Sequence, residues 1–276
     1  REGVLLQESV EGEVDRWGEA APLPGFSSES LDDVLANIPD WVSGETLDHA
    51  SVPPSLAWAL RCLEQPHPAA DLDVPVAALL KGDPGHVLAR CMELNGSFCT
   101  AAKLKIGQDD PEADAAWVRA VRSTLGPDIS LRLDANRAWT LDQARLFEES
   151  LGPVDIAFIE EPVRDAEMLR RFDAETRLPL ALDESLLDAD ISLEGWVNLR
   201  ALVLKPTLLG ASLAGWLIGA KEAQLMTVFS ASFETGVGLS HIARLGDPAV
   251  PAGLDTWRWL SSDLLDQRLL FEEGNL

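Results

Sequence analysis

Basic residues are scarce in this chain: 22 Lys and Arg stand against 46 Asp and Glu, a formal charge of −24. A field of that sign repels phosphate backbones and anionic headgroups, so neither a nucleic-acid nor a membrane partner is expected. Tyrosine is absent, and cysteine occurs only as Cys62, Cys91 and Cys99. An odd number without CxxC spacing argues against a disulfide framework or a thiolate zinc site, and the three read as ordinary, partly buried thiols. No apolar run reaches 18 residues, and no basic segment leads into an apolar one, so neither a membrane span nor a signal peptide is visible and the expected compartment is the cytoplasm. The four histidines, His49, His67, His86 and His241, sit at no strand end with a partner and read as structural or exposed. Low-complexity tracts and solenoid repeats are lacking too.

What is present is core: 46% of the 276 residues are apolar, enough for one or two domains or a single α/β barrel. Beyond residue 74, β-rich runs at 74–80, 101–106, 129–134, 156–160, 180–183, 201–204, 226–230 and 253–257 alternate with helical patterns such as 111–125, 141–151, 166–177 and 211–224. Eight parallel βα units close most naturally into a (β/α)8 barrel, here over residues 71–276, the last residues returning to the cap. Residues 1–70 do not alternate. A strand at 4–8, a turn-rich stretch with Pro22, Pro24 and Gly25, and helical patterns at 31–38 and 54–63 predict an α+β cap, joined through the Pro-rich stretch 65–75. Trp58, Trp117, Trp196 and Trp216 fall on helical segments and read as packing rather than a ligand cage.

A barrel keeps its chemistry at the C-terminal ends of its strands. Those ends are unusually charged here: Lys103-Leu104-Lys105, Arg132-Leu133-Asp134-Ala135-Asn136, Glu160-Glu161-Pro162, Asp183-Glu184-Ser185 and Lys205-Pro206. Lys105, Asp134, Glu160, Asp183 and Lys205 follow one another at steps of 22 to 29 residues, near one βα unit, so they fall on one ring. Three converging carboxylates would repel unless one took up a proton or a cation intervened. An oxygen-only set suits Mg²⁺, with Mn²⁺ as a substitute. Lys103 and Lys105 share a strand face, and with Lys205 across the ring an amine stands on each side of a bound substrate. Near a dication and other ammonium groups, a lysine pKa is expected to fall far enough for the amine to act as a base.

The order KxK, D, E, D, K resembles the Lys-base branch of the enolase superfamily. Within it the chain resembles the o-succinylbenzoate synthase family, through Trp17-Gly18-Glu19, Pro22-Leu23-Pro24-Gly25-Phe26-Ser27, Leu131 to Trp139, Phe158-Ile159-Glu160-Glu161-Pro162, Lys205-Pro206-Thr207 and Gly253-Leu254-Asp255-Thr256. That resemblance implies a Mg²⁺-dependent lyase without organic cofactor, acting on a small anionic carboxylate. Asp134, Glu160 and Asp183 would be the metal ligands, with Glu161 and Glu184 as neighbours pointing the other way. Lys105 would be the base, Lys103 would depress its pKa, and Lys205 would face it across the ring. Arg132 would orient ligands or substrate, and Ser230, Ser232 and Gly253 would line the pocket for a succinyl arm. Family members carry a further strand and a cap loop ahead of the position where this chain starts, so an incomplete cap is expected. Two competing readings remain: an N-acylamino acid racemase or dipeptide epimerase on the same scaffold, and a catalytically dead binding barrel. The sequence leaves the oligomeric state open.

Overall fold

The computed structural model describes residues 2–9, 14–65, 74–188 and 190–265. Strands β1 (Val4–Glu8) and β2 (Arg16–Ala20) pair antiparallel, Leu6 opposite Gly18. Helices α1 (Leu31–Val42) and α2 (Pro54–Leu63) complete the cap. A capping box starts α1, the Ser30 side chain accepting from the Asp33 backbone while Asp33 accepts from that of Ser30. The helix runs past the expected stop near residue 38 to Val42, with Pro39 inside it. Leu6, Ala20, Val34, Leu56, Leu60 and Leu63 form the cap's own core. Trp58 and Cys62, also on α2, belong to the barrel core instead, so one helix serves both.

Along the chain, β3 (Ala78–Leu80), β4 (Ala101–Lys105), β5 (Ser130–Asp134), β6 (Phe158–Glu160), β7 (Leu180–Leu182), β8 (Leu199–Leu204) and β9 (Met226–Phe229) form one parallel sheet in sequential order. Helices α3 (Pro84–Leu94), α4 (Pro111–Leu125), α5 (Leu141–Leu151), α6 (Ala166–Glu175), α7 (Pro206–Leu209), α8 (Leu213–Glu222) and α9 (Gly236–Ala243) connect or follow these strands. Starts are written locally: Asp83 caps α3, Pro111 opens α4, and a Thr140–Gln143 capping box opens α5. Because both faces of a parallel sheet are covered, its strands are buried throughout. Leu104, Leu133, Ile159, Leu182 and Leu204 face the helices, and Phe158, Ala181, Ala201, Val203 and Val228 fill the interior.

The eighth strand differs from the expectation. Instead of a strand over residues 253–257, two single-residue bridges close the sheet, Ala252 to Val76 beside β3 and Gly253 to Ser230 beyond β9. Four backbone hydrogen bonds of 2.8–3.0 Å hold the seam, the Ala77 and Ala231 amides donating to Ala252 and Gly253 and the amides of those two donating to Pro75 and Phe229. The strand stops because Asp255 accepts from the Leu79 amide at 3.0 Å and from Arg258 Nε at 2.5 Å, turning residues Asp255–Trp259 into a 3-10 helix. Packing at the seam is close, since a Cβ on Gly253 would lie 2.7 Å from Ser230 Oγ and 3.1 Å from its Cβ.

Cys62, Cys91 and Cys99 are buried, free thiols, and Trp58 is buried while Trp117, Trp196 and Trp216 pack partly buried against the barrel core. Among the described residues no helix is long and apolar enough to cross a membrane. Most of the Pro-rich joint, with His67, and the final residues expected to return to the cap lie outside the described residues.

Gly18 sets how closely β2 approaches α2: a Cβ there would fall 2.2 Å from the Ala59 carbonyl oxygen. The obstacle is backbone and cannot swing aside, so Gly18→Ala is expected to destabilise the chain by about 1–3 kcal/mol. Thermal melts of the two proteins check this, and an unchanged midpoint contradicts it.

Candidate active site

Alternation along β4 places Leu104 in the outer core and turns Lys103 and Lys105 inward. Parallel pairing then aligns Lys103 with Arg132 and Phe158 in one layer, and Lys105 with Asp134 and Glu160 in the layer above. Asp183 directly follows β7 and Lys205 directly follows β8. All five expected ring residues, with Lys103, thus reach the same end of the barrel.

They meet as ion pairs. Lys103 Nζ lies 2.5 Å from Glu160 Oε2 and 2.8 Å from Asp134 Oδ2. Lys105 Nζ donates to the same Asp134 oxygen at 2.5 Å and to Asn136 Oδ1 at 2.7 Å, and Lys205 Nζ donates to Asp183 Oδ2 at 2.5 Å. The three carboxylate side chains are almost wholly buried, at 1%, 2% and 4% exposure for Asp134, Glu160 and Asp183. Burial pulls Asp134 upward, but Lys103 and Lys105 outweigh it and hold that carboxyl well below the usual range. Glu160 is pushed up by its burial and by Asp134 and Asp183, with Lys103 opposing. Among the protein's own groups, burial lowers Lys103 and Lys205, yet the carboxylates beside them prevail and hold both above the ordinary lysine value. With acids as neighbours, they stay charged.

Beneath the ring, Glu161 was expected merely to point away. It is instead the hub of the site's support, fully buried and accepting from the Asp183 and Ser185 amides at 2.9 Å, from Ser185 Oγ at 2.8 Å and from Arg137 Nε at 3.0 Å. Asn136, Arg137, Glu161 and Phe233 all have left-handed backbone, with φ of 45°, 60°, 40° and 64°. Non-glycine residues adopt that region at a cost, and the cost is concentrated at this barrel end. Asn136 was visible only as part of the Asp134-Ala135-Asn136 run. It joins Lys105 to Glu184, donating to Glu184 Oε1 at 3.2 Å.

A cavity of about 470 Å³ opens over the ring, bounded by Leu23 and Phe26 of the cap and by Lys103, Lys105, Lys205 and Phe233. Ser230, Ser232 and Gly253 line it too. The Ser230 hydroxyl is already bonded to the Gly253 carbonyl at 3.2 Å, whereas Ser232 Oγ is buried without a partner. Arg132 is a correction: it is not among the lining residues but lies a layer below, over the Phe158 ring, donating to the Pro251 carbonyl at 2.7 Å. Its register partner Lys103 reaches the mouth from the same layer only because its chain turns upward to the acids. A larger groove of about 1100 Å³, beside Leu186, Leu209 and Trp216, contains no member of the ring.

Sequence reasoning missed a second buried carboxylate system. Glu19 of β2 accepts from the Thr235 and Gly238 amides at 3.0 Å, and Glu234 accepts from Thr207 Oγ1 and the Ser232 amide. These bonds tie the cap to the strand ends that carry Lys205 and Ser232. The signal was the Trp17-Gly18-Glu19 run, read only as a family resemblance.

The donor chemistry fits a hard divalent cation: three buried carboxylates stand on consecutive strand ends, with Glu184 Oε2 buried beside them and unpartnered. Among the described residues no three His, Cys, Asp or Glu side chains are already gathered as a metal nest, because the ring's acids face ammonium groups.

Cap, closed parallel barrel and charged mouth together define an enzyme of the enolase superfamily, and residues 86–194 match the Enolase C-terminal domain-like family. Residues 1–66 match the family MenC, N-terminal domain. An o-succinylbenzoate synthase of Yersinia enterocolitica is 37% identical over 97% of this chain and 86% of its own length. The chain belongs to the o-succinylbenzoate synthase family. Among solved structures, o-succinylbenzoate synthase from Thermosynechococcus elongatus, complexed with Mg in its active site, superposes with a TM-score of 0.75 at 25% identity, covering 95% of this chain and 88% of that one. A dipeptide epimerase from Enterococcus faecalis gives 0.74 at 23%, covering 96% and 88%, a likeness of fold alone.

Removing the Glu161 carboxylate leaves two buried amides without an acceptor and takes one of Arg137's two acids. Glu161→Ala is therefore expected to cost about 3–5 kcal/mol, the range for breaking a buried pair. Glu161→Gln should fall between it and the parent in chemical denaturation, and equal stability of all three would contradict the hub role.

Proposed function

We propose that the chain catalyses the Mg²⁺-dependent syn-dehydration of a succinyl-hydroxy-cyclohexadiene carboxylate to o-succinylbenzoate, a step of menaquinone or phylloquinone biosynthesis, in the cytoplasm. The observation that carries this reading is the placement of Lys105 and Lys205 in one cavity on either side of three buried carboxylates. The names of the relatives give the product, o-succinylbenzoate, a small anionic carboxylate, and the substrate follows from it as the hydrated precursor. Asp134, Glu160 and Asp183 would hold the cation, Mn²⁺ being a possible substitute. When bound, the cation supplies Lewis-acid stabilisation of the negative charge that grows on the substrate carboxylate.

The remaining chemistry belongs to side chains. Lys105 Nζ takes the proton α to the carboxylate, and the electron pair of that C–H bond moves toward the carboxylate as an enediolate forms. The pair then returns to close the aromatic ring as the C–O bond of the β-hydroxyl breaks. The same Lys105 ammonium gives up its proton to the departing oxygen, so water leaves and the amine is restored. One acid/base suffices, because both groups leave from one face. Asn136 fixes the Lys105 amine from the side, at 2.7 Å, and Lys103 contributes a second positive charge beneath it. Lys205, on the opposite flank, stabilises the enediolate without exchanging a proton. No organic cofactor is needed. Residues 1–70 would act as the cap, Leu23 and Phe26 closing one wall against water.

A racemase or epimerase of N-acylated amino acids would use the same two lysines, each exchanging a proton on its own face. Asp255 weighs against dipeptides, since its carboxylate is engaged by the Leu79 amide and Arg258 and is not free for a substrate ammonium.

Incubation in D₂O with the diene and, separately, with N-succinyl amino acids separates these readings. Loss of diene absorbance without α-deuteration of the amino acids is expected, and the reverse overturns the dehydratase assignment. Lys105→Ala should lower kcat by about 10²–10⁴-fold, the usual loss for a general base. Mg²⁺ should raise the thermal midpoint of the parent but not of Asp183→Asn. An Mg²⁺ response unchanged in that variant removes Asp183 from the ligand set, and no response in the parent supports a dead scaffold.

A further inference from the structure

The charges lining the cavity do not cancel to zero. Lys103, Lys105 and Lys205 are matched by Asp134, Glu160 and Asp183 through the ion pairs described above. Asp255, on the opposite wall, is matched by Arg258. One lining cation is left over: Lys81, immediately after β3, whose contact among the described residues is the face of Trp259, 5.6 Å from Nζ to the ring centroid. The acid nearest in sequence, Asp83, is occupied in capping α3, accepting from the Gly85 and His86 amides at 2.9 and 3.3 Å.

The same cavity carries hydroxyls that have no partner among the described residues. Thr256 and Ser232 both line the cavity, and Thr256 Oγ1 and Ser232 Oγ are buried and unbonded, Ser232 being only 2% exposed. A buried hydroxyl left without a partner carries a desolvation cost that a bound oxygen would relieve. The Leu79 amide donating to Asp255 locks the strand that ends at Lys81 to the segment that carries Thr256. Lys81 and Thr256 therefore occupy the first and eighth positions of the ring, across the mouth from the carboxylates of β5, β6 and β7. Phe26, Leu79 and Phe233 supply apolar wall between the two ends.

A net-neutral set of lysines and acids at one end and an unmatched ammonium with free hydroxyls at the other fit an elongated dianion. We propose that Lys81, with Thr256, binds the distal carboxylate of the substrate's succinyl arm and so determines specificity for substrates with a second negative charge, an assignment that rests on the dehydratase reading. The Trp259 ring holds the ammonium toward the opening by cation–π attraction without neutralising it. The proximal carboxylate lies at the reacting end, and the arm spans the mouth. Lys81 takes no part in the proton transfers, so its contribution appears in binding rather than in the chemical step.

The test compares the full, Mg²⁺-loaded parent with Lys81→Met, using turnover of the diene and equilibrium binding of two probes, o-succinylbenzoate and its distal methyl ester. In Lys81→Met, KM for the diene and Kd for o-succinylbenzoate should each rise about tenfold, kcat staying within about twofold, as expected for one charge-assisted hydrogen bond. The ester should bind both proteins alike, and Lys81→Arg should recover most of the affinity. Lys221→Met, an exposed position on α8, removes the same net charge away from the mouth and should leave both constants unchanged. Unchanged affinity for o-succinylbenzoate in Lys81→Met overturns the proposal, as does an equal loss for the ester or in Lys221→Met. Binding is read without turnover, so the two readings fail separately. A parent that binds o-succinylbenzoate through Lys81 but leaves the diene intact overturns the dehydratase assignment and upholds the subsite.

Discussion

Three carboxylates buried side by side at a barrel mouth cannot persist unless positive charge is brought to them, and most of this structure follows from how that is done. Parallel pairing sets Lys105, Asp134 and Glu160 abreast on three adjacent strands, so the neutralising amine arrives with the fold rather than by a side chain's search. In a low-dielectric setting such matching decides whether the charges can be tolerated at all. Positioning by register also explains why six residues on or directly after five successive strands meet as ion pairs.

Support for the ring comes from below and from the cap. Glu161 fixes the backbone that carries Asp183, and the Glu19 and Glu234 bonds attach β2 of the cap to the segments following β8 and β9. The left-handed residues Arg137 and Glu161 are joined directly, Arg137 Nε donating to the Glu161 carboxylate. Strain of this kind survives only where neighbouring contacts over-determine the backbone, and the hydrogen bonds around Glu161 do so. The catalytic face is therefore stiff on the side of the acids, while the opposite side, with Lys81 and the half-exposed Trp259, is comparatively open.

Much of this was legible in the sequence because the determining features are local and periodic. The alternation of apolar runs with helical stripes marks strands β3 to β9, and the strand-end charges mark the ring. Other features were hidden because they depend on contacts distant in the chain. Whether Arg132 faces the mouth or the floor depends on the Pro251 carbonyl far along the chain, and the partners that make Glu161 a hub come from other segments. The eighth strand was overestimated because nothing in Gly253 to Trp257 reveals that Asp255 will capture the Leu79 amide and end the pairing. Helix α9 has few polar residues to give it a periodic face, and β2 was read for its motif rather than its alternation.

The seam between residues 76 and 252 also bears on how the molecule comes into being. Asp255 and Leu79, which join the last segment to the first barrel strand, stand 176 residues apart. Such distant contacts are slow to form, since a long loop must close before any contact rewards it. The enclosure can therefore shut only once the segment from Ala252 to Asp255 has met the first barrel strand, and until then the acids and amines of the ring belong to a sheet that is still open. Closure of the mouth is in that sense a single long-range event, decided by a handful of residues that meet across 176 positions of chain.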